Sequence, residues 1–196
     1  MTARRLPLLA LALVASSGAL LCAPGLAEAL SFERERLARE PWRLLSGHLV
    51  HDPALATVDL TVLLVLGAWW ELRSRARFAW ILLVSAGFAS LALVVCTSFA
   101  RYTGSSALGS GLLLAAALSL ALEPEGRARW LGWLLVAAFA AKCALELSGA
   151  GALFVDLPEG MHLAAAAHAA GGLGGGLVAL AGRRVQGAGV RPERQP

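Results

Sequence analysis

RYTGSSALGSGLLLAAALSLAL, residues 101–122, is the stretch that decides the fold. From Tyr102 to Leu122 it carries no charge, and roughly 20 such residues are what a helix needs to cross a bilayer. A helix that only had to span would carry leucine throughout, because an interior glycine costs about 1 kcal/mol relative to alanine. Here Gly104, Ser105, Ser106, Ser110 and Gly111 crowd the first half. Small residues in that position either let a neighbouring helix approach closely or expose a serine for chemistry.

The rest of the chain repeats the pattern. Residues 6–27 and 78–100 are also free of charge. Residues 160–182 carry only His162 and His168, residues 53–70 are interrupted by Asp59, and residues 130–155 by Lys142 and Glu146. With 58% apolar and 15% charged residues in a chain of 196, an ordinary soluble domain is excluded. The predicted fold is all-α, a polytopic bundle of six transmembrane helices over residues 1–182. An outer connection over about 28–53, where Phe32, Leu37, Trp42, Leu44 and Leu45 alternate with charges, is expected to hold a short interfacial helix. Residues 183–196 read as a disordered cytoplasmic tail, and no internal repeat is visible.

Charge gives the orientation. Arg4 and Arg5, then Arg73, Arg75 and Arg77, then Arg127 and Arg129, then Arg183, Arg184, Arg191 and Arg194 fall in alternate connections. On the other side Glu28, Glu33, Glu35, Glu40 and Asp52 offset Arg34, Arg36, Arg39 and Arg43. The positive-inside bias makes the first set cytoplasmic, with both termini. The formal charge of +4 is therefore a topology signal, and no nucleic-acid partner is expected. One lysine against sixteen arginines, with abundant alanine, suggests a GC-rich bacterial genome and hence an inner membrane. The first span also resembles a signal peptide, with Ala27-Glu28-Ala29 as a small-x-small site, although its apolar stretch is long and favours a retained helix. Cys22, Cys96 and Cys143 read as buried small hydrophobes.

Polar groups inside spans are expensive and need a reason. Gly171 and Gly175 follow His168 by three and seven positions and share its helical face, so another helix can reach the histidine. Ser106 lies at the start of its helix, where unpaired backbone N–H groups and the positive end of the dipole offer donors for an oxyanion. Both spans run inward, and His168 lies about 12 Å of helix rise below the start of its own. A turn or so inside the membrane the two can meet as a nucleophile and its base. Lys142 and Glu146, one turn apart, read as a structural ion pair. His48, His51 and Asp52 complete no ligand set, so neither metal nor other cofactor is expected.

Four segments together resemble the rhomboid intramembrane serine proteases, and more closely their small bacterial branch, the rhombosortases. PWRLLSGHLVH at 41–51 is similar to the family's WRL-x-x-GH-x-VH stretch, and YTGSSALGSGL at 102–112 to its Y-x-G-x-S segment. KCALELSG at 142–149 resembles K-x-x-x-E-x-x-G, and AHAAGGLGGGL at 167–177 resembles H-x-x-G-x-x-x-G. The resemblance spans about residues 34–182. It implies a serine endopeptidase with Ser106 as nucleophile and His168 as base, packed through Gly111, Gly171 and Gly175. It also implies a substrate class: secreted proteins held in the membrane by a C-terminal tail of Gly-Gly, a hydrophobic helix and basic residues. Two departures stand out. Ala107 follows the nucleophile where the family has glycine, and ALATVDLTV at 54–62 lacks the second-span histidine and asparagine that hold the oxyanion. The oxyanion would then rest on Gly104, Ser105 and their backbone, with His48, His51 or Asp59 in support. An ionised Asp59 would repel it and a neutral one would donate to it. A rhomboid-like pseudoprotease and a small transporter or assembly factor are the alternatives.

Overall fold

Pro24 has no N–H, and its ring crowds the carbonyl four residues back, so a helix running into it stops. In the computed structural model, which describes residues 6–149 and 164–188, the first apolar run breaks there. Helix α1 (Leu8–Leu21) ends before it and α2 (Pro24–Leu30) starts on it, the two axes bent by 116°. The expected single span over residues 6–27 is thus two helices. The outer connection continues through a two-residue strand β1 (Phe32–Glu33), a 3-10 turn at Arg34–Arg36, the short α3 (Arg43–Ser46) and a second turn at Gly47–Leu49. Then follow α4 (Pro53–Arg73), α5 (Arg75–Cys96), strand β2 (Arg101–Tyr102), α6 (Ser106–Ala121), α7 (Arg127–Leu147) and α8 (Ala165–Ala188).

The chain is mostly helical, as expected, with one short ladder added: β1 and β2 pair antiparallel with Phe32 opposite Tyr102. The outer connection holds a short helix, α3, flanked by turns; Phe32 turns inward and is buried, whereas Trp42 and Leu45 stay about half exposed. Helix α8 continues to Ala188, so the start of the expected tail is helical. Of the cysteines, only Cys143 is buried; Cys22, at the bend after α1, and Cys96, at the end of α5, face outward.

Helices α4, α5, α7 and the Ala165–Arg183 part of α8 are long and apolar enough to cross a membrane, and the bent α1–α2 pair makes a fifth if it is one span. Their outer faces carry Val65, Leu91, Val95, Trp130 and Leu134, each more than half exposed. An apolar surface of that extent suits lipid and not water. Helix α6, with 16 residues, rises only about 24 Å against a hydrocarbon core of about 30 Å. It is apolar on every side because it is central, packed by α4, α5, α7 and α8.

Close packing around α6 depends on missing side chains. A Cβ on Gly175 would stand 2.2 Å from the Gly111 carbonyl oxygen, and one on Gly171 2.4 Å from that of Ala107. The α8 stripe therefore touches the α6 backbone itself. On the opposite side Trp70 of α4 donates its indole N–H to the Leu112 carbonyl at 3.1 Å.

Three charged side chains, Glu71, Arg34 and Arg43, hold the periphery in place. Glu71 of α4 accepts the Leu9 and Ala10 N–H groups at 3.1 and 2.9 Å, satisfying amides that the first turn of α1 leaves unpaired. Arg75 bonds the same carboxylate at 3.0 Å. Arg34 reaches across to the end of α5 and donates to the carbonyls of Leu93, Val94, Thr97 and Phe99. Arg43, almost fully buried, donates to the Glu28 and Ser31 carbonyls and to the Glu40 carboxylate. These arginines brace the outer connection, and the expected glutamate partners are present too, Glu40 on Arg43 and Glu33 on Arg36.

Candidate active site

The approach to α6 is shaped by one peptide unit. Gly104 has φ +121°, a conformation that disfavours any side chain. The Tyr102 hydroxyl donates to the Gly104 carbonyl at 3.0 Å. In a trans peptide the N–H of the next residue points the opposite way. The Ser105 N–H accordingly faces His51 Nε2 and Asp59 Oδ2, both at 3.2 Å. The Ser105 hydroxyl lies 2.9 Å from the same His51 nitrogen.

Ser106 opens α6, and its Oγ is 2.8 Å from Nε2 of His168 on α8. The other ring nitrogen, Nδ1, is 2.9 Å from Oε2 of Glu146 on α7. A carboxylate only accepts, so Nδ1 carries the hydrogen and Nε2 presents its lone pair to the serine hydroxyl. Glu146 Oε1 in turn takes Lys142 Nζ at 2.5 Å. His168 and Glu146 are buried, while Ser106 keeps partial exposure. The row Ser106–His168–Glu146–Lys142 thus draws on three helices, with Glu146 accepting from both His168 and Lys142, and with Lys142 Nζ also 3.4 Å from His168 Nδ1. In chemical terms it is a hydroxyl, a base that can take its proton, and an anion that holds the base in one tautomer.

The Lys142–Glu146 pair expected from sequence is present, but Glu146 does more than neutralise lysine. Its contact with His168 is the site feature that sequence reading missed. The i,i+4 lysine offered a sufficient local reason for the glutamate, although its place in the last turn of α7 matched the depth of His168.

His51 and His48 part company. His51 donates Nδ1–H to the Leu49 carbonyl at 3.0 Å and turns Nε2 to Ser105, the residue before Ser106. Burial holds it below the usual imidazole range. His48, expected as possible oxyanion support, lies one layer behind. Its Nε2 is 3.1 Å from Ser90 Oγ on α5, and its ring meets Tyr102 edge-on at 5.5 Å between centroids. Ser90 gives its own hydrogen to the Leu44 carbonyl, so its oxygen accepts from His48. Burial pushes the His48 imidazole down to about 4 and the Tyr102 phenol up. His48 therefore buttresses Tyr102, and its ring also comes up against the Gly104 backbone. Ser110 is buried one turn further along α6, and His162 lies outside the described residues.

No family model matches the chain, and no curated protein matches it.

Proposed function

We propose that the chain is an intramembrane serine endopeptidase of rhomboid type, built on six membrane spans and related in kind to rhombosortases. The observation that carries this reading is the alignment of Ser106 Oγ, His168 and Glu146 at 2.8 and 2.9 Å. His51 too has both ring nitrogens engaged; what sets His168 apart is its partners, a partly exposed serine on one side and a buried carboxylate on the other.

In the reaction Ser106 Oγ attacks a peptide carbonyl and its proton passes to His168 Nε2. Glu146 stabilises the imidazolium through Nδ1–H. His168 then protonates the leaving amine, the C–N bond breaks, and water hydrolyses the acyl-serine by the same route in reverse. The substrate class proposed is a secreted protein anchored by a C-terminal Gly-Gly, apolar and basic tail. Glycine suits such a bond, since a helix unwinds most readily where glycine weakens it. The cell location proposed is the bacterial inner membrane, with both termini cytoplasmic and the site opening on the periplasmic side.

A transporter reading has less support, because Lys142 and Glu146 already satisfy each other and His168 in a closed row. The test is cleavage of a Gly-Gly-tailed reporter in membranes by the native chain, Ser106→Ala and His168→Ala at equal protein level. Cleavage by the native chain alone is expected. Cleavage that survives Ser106→Ala would end the proposal.

A further inference from the structure

The missing side chain of Gly104 leaves a notch in front of the nucleophile. Where a Cβ would stand, Asp59 Oδ2 is 3.1 Å away and Ser106 Oγ 3.9 Å away. Beyond the glycine's chain neighbours, no other atom of the described residues lies within 4 Å of that point. A carbonyl oxygen of a peptide attacked by Ser106 would enter this space. The group that faces this space beside the serine is the carboxyl of Asp59.

Whether that carboxyl can tolerate an oxyanion depends on its proton, and the hydrogen bonds around it bear on that. His51 stands 3.8 Å from Asp59 Oδ2 and is the obvious counter-ion. Yet the Ser105 N–H, which reaches Asp59 Oδ2 as well, is also donated to His51 Nε2, and a backbone N–H can only donate. Nε2 must therefore present a lone pair, and with Nδ1–H spent on the Leu49 carbonyl the ring is neutral. Tyr102 of β2 is bonded to the Gly104 carbonyl, His168 of α8 to Ser106 and Glu146, and Lys142 of α7 to Glu146. Among the described residues no lysine or arginine pairs with Asp59, whose side chain is only 15% exposed. A largely buried carboxylate without a cation is costly, and the neutral acid is the cheaper form.

Resting on the protease reading above, we propose that Asp59 stands in its acid form and donates the hydrogen bond that holds the oxyanion. As the Ser106 Oγ–C bond forms, the serine proton goes to His168 Nε2 and the carbonyl π pair moves onto oxygen. Asp59 keeps its proton and shares it with that oxygen, and the pair returns when the C–N bond breaks. His51 is too far from Asp59 to claim the hydrogen itself, at 3.8 Å. The acid supplied by Asp59 thus stands in for the side-chain donors that residues 54–62 otherwise lack.

Infrared difference spectroscopy of the purified chain in detergent at neutral pH tests this without any substrate. The native chain minus Asp59→Asn is expected to show the C=O stretch of a protonated carboxylic acid. A carboxylate band in its place would overturn the proposal. Reporter cleavage adds a second arm. Asp59→Asn, whose amide is a weaker donor, should lose about tenfold, and Asp59→Leu about 100- to 1000-fold. Equal loss in the two variants, or full activity in Asp59→Leu, would overturn it as well. A native chain that cuts no reporter would instead remove the protease reading, while the infrared band still reports the state of Asp59.

Discussion

Replacing Glu146 by glutamine is the sharpest perturbation the site offers. The carboxylate accepts on both sides, from His168 Nδ1–H at 2.9 Å and from Lys142 Nζ at 2.5 Å. A glutamine amide has one accepting end and one donating end. With its NH2 toward Lys142, two donors face each other. With its NH2 toward His168, Nδ1 must accept, the hydrogen moves to Nε2, and the Ser106 hydroxyl loses its base. The hydrogen bond to a charged partner that is lost is worth about 1.5–3 kcal/mol, or roughly 10- to 150-fold in rate. A wrong tautomer raises the loss, to about 10,000-fold in the Ser-His-Asp enzyme where it has been isolated. We expect cleavage by Glu146→Gln to fall 100- to 10,000-fold, mainly in kcat, with KM little changed, since the glutamate lies behind the histidine. The assay is reporter cleavage in proteoliposomes, with fluorophosphonate labelling of Ser106 as a second readout. Lys142→Ala is the control. It leaves Glu146 free to hold His168 and should cost far less. Native rates in Glu146→Gln, or equal losses in the two variants, would refute the reasoning.

Three further outcomes follow from the packing and the buried groups. Gly175→Val should prevent close contact of α8 with α6, because even a Cβ would come 2.2 Å from the Gly111 oxygen; a thermal midpoint in detergent equal to the native one would contradict it. Glu71→Leu should strip the α1 amides of their acceptor, so disulfide trapping between cysteines placed on α1 and α4 should weaken relative to the native pairing. His48 titrates in the folded chain near 4 against 6.5 when unfolded, so the unfolded state binds more protons between those values. Stability should therefore decline as pH falls from about 6.5 to 4, by roughly 3 kcal/mol at most, and His48→Gln should flatten that part of the profile of unfolding midpoint against pH.

Length and charge were enough to find the long helices. Pro53 starts α4 as expected because proline suits a first helical position, with Asp52 capping the Ala54 N–H at 2.9 Å. Counting helix rise put Ser106 and His168 at similar depth, and they lie 2.8 Å apart. Other features had no sequence signal of their own. A two-residue ladder is too short for any alternation to register, so β1 and β2 were invisible. Glu71 beside Arg75 reads as an ordinary helix-end pair, and nothing in the spacing announces that it also holds α1. Asp59 meeting Ser105 required the fold of the outer connection, which hangs on Arg34, Arg43 and the ladder.

Helix α6 begins at Ser106 and is 16 residues long. Measured against a slab about 30 Å thick, it comes up roughly 6 Å short. If its inner end sits level with those of its neighbours, the shortfall lies entirely above the nucleophile. The enzyme proposed here then works as a depth gauge. It selects a bond partly by how far below the water line a tail carries that bond, so sliding Gly-Gly by a few residues along an unchanged apolar tail would alter cleavage without changing the recognised residues.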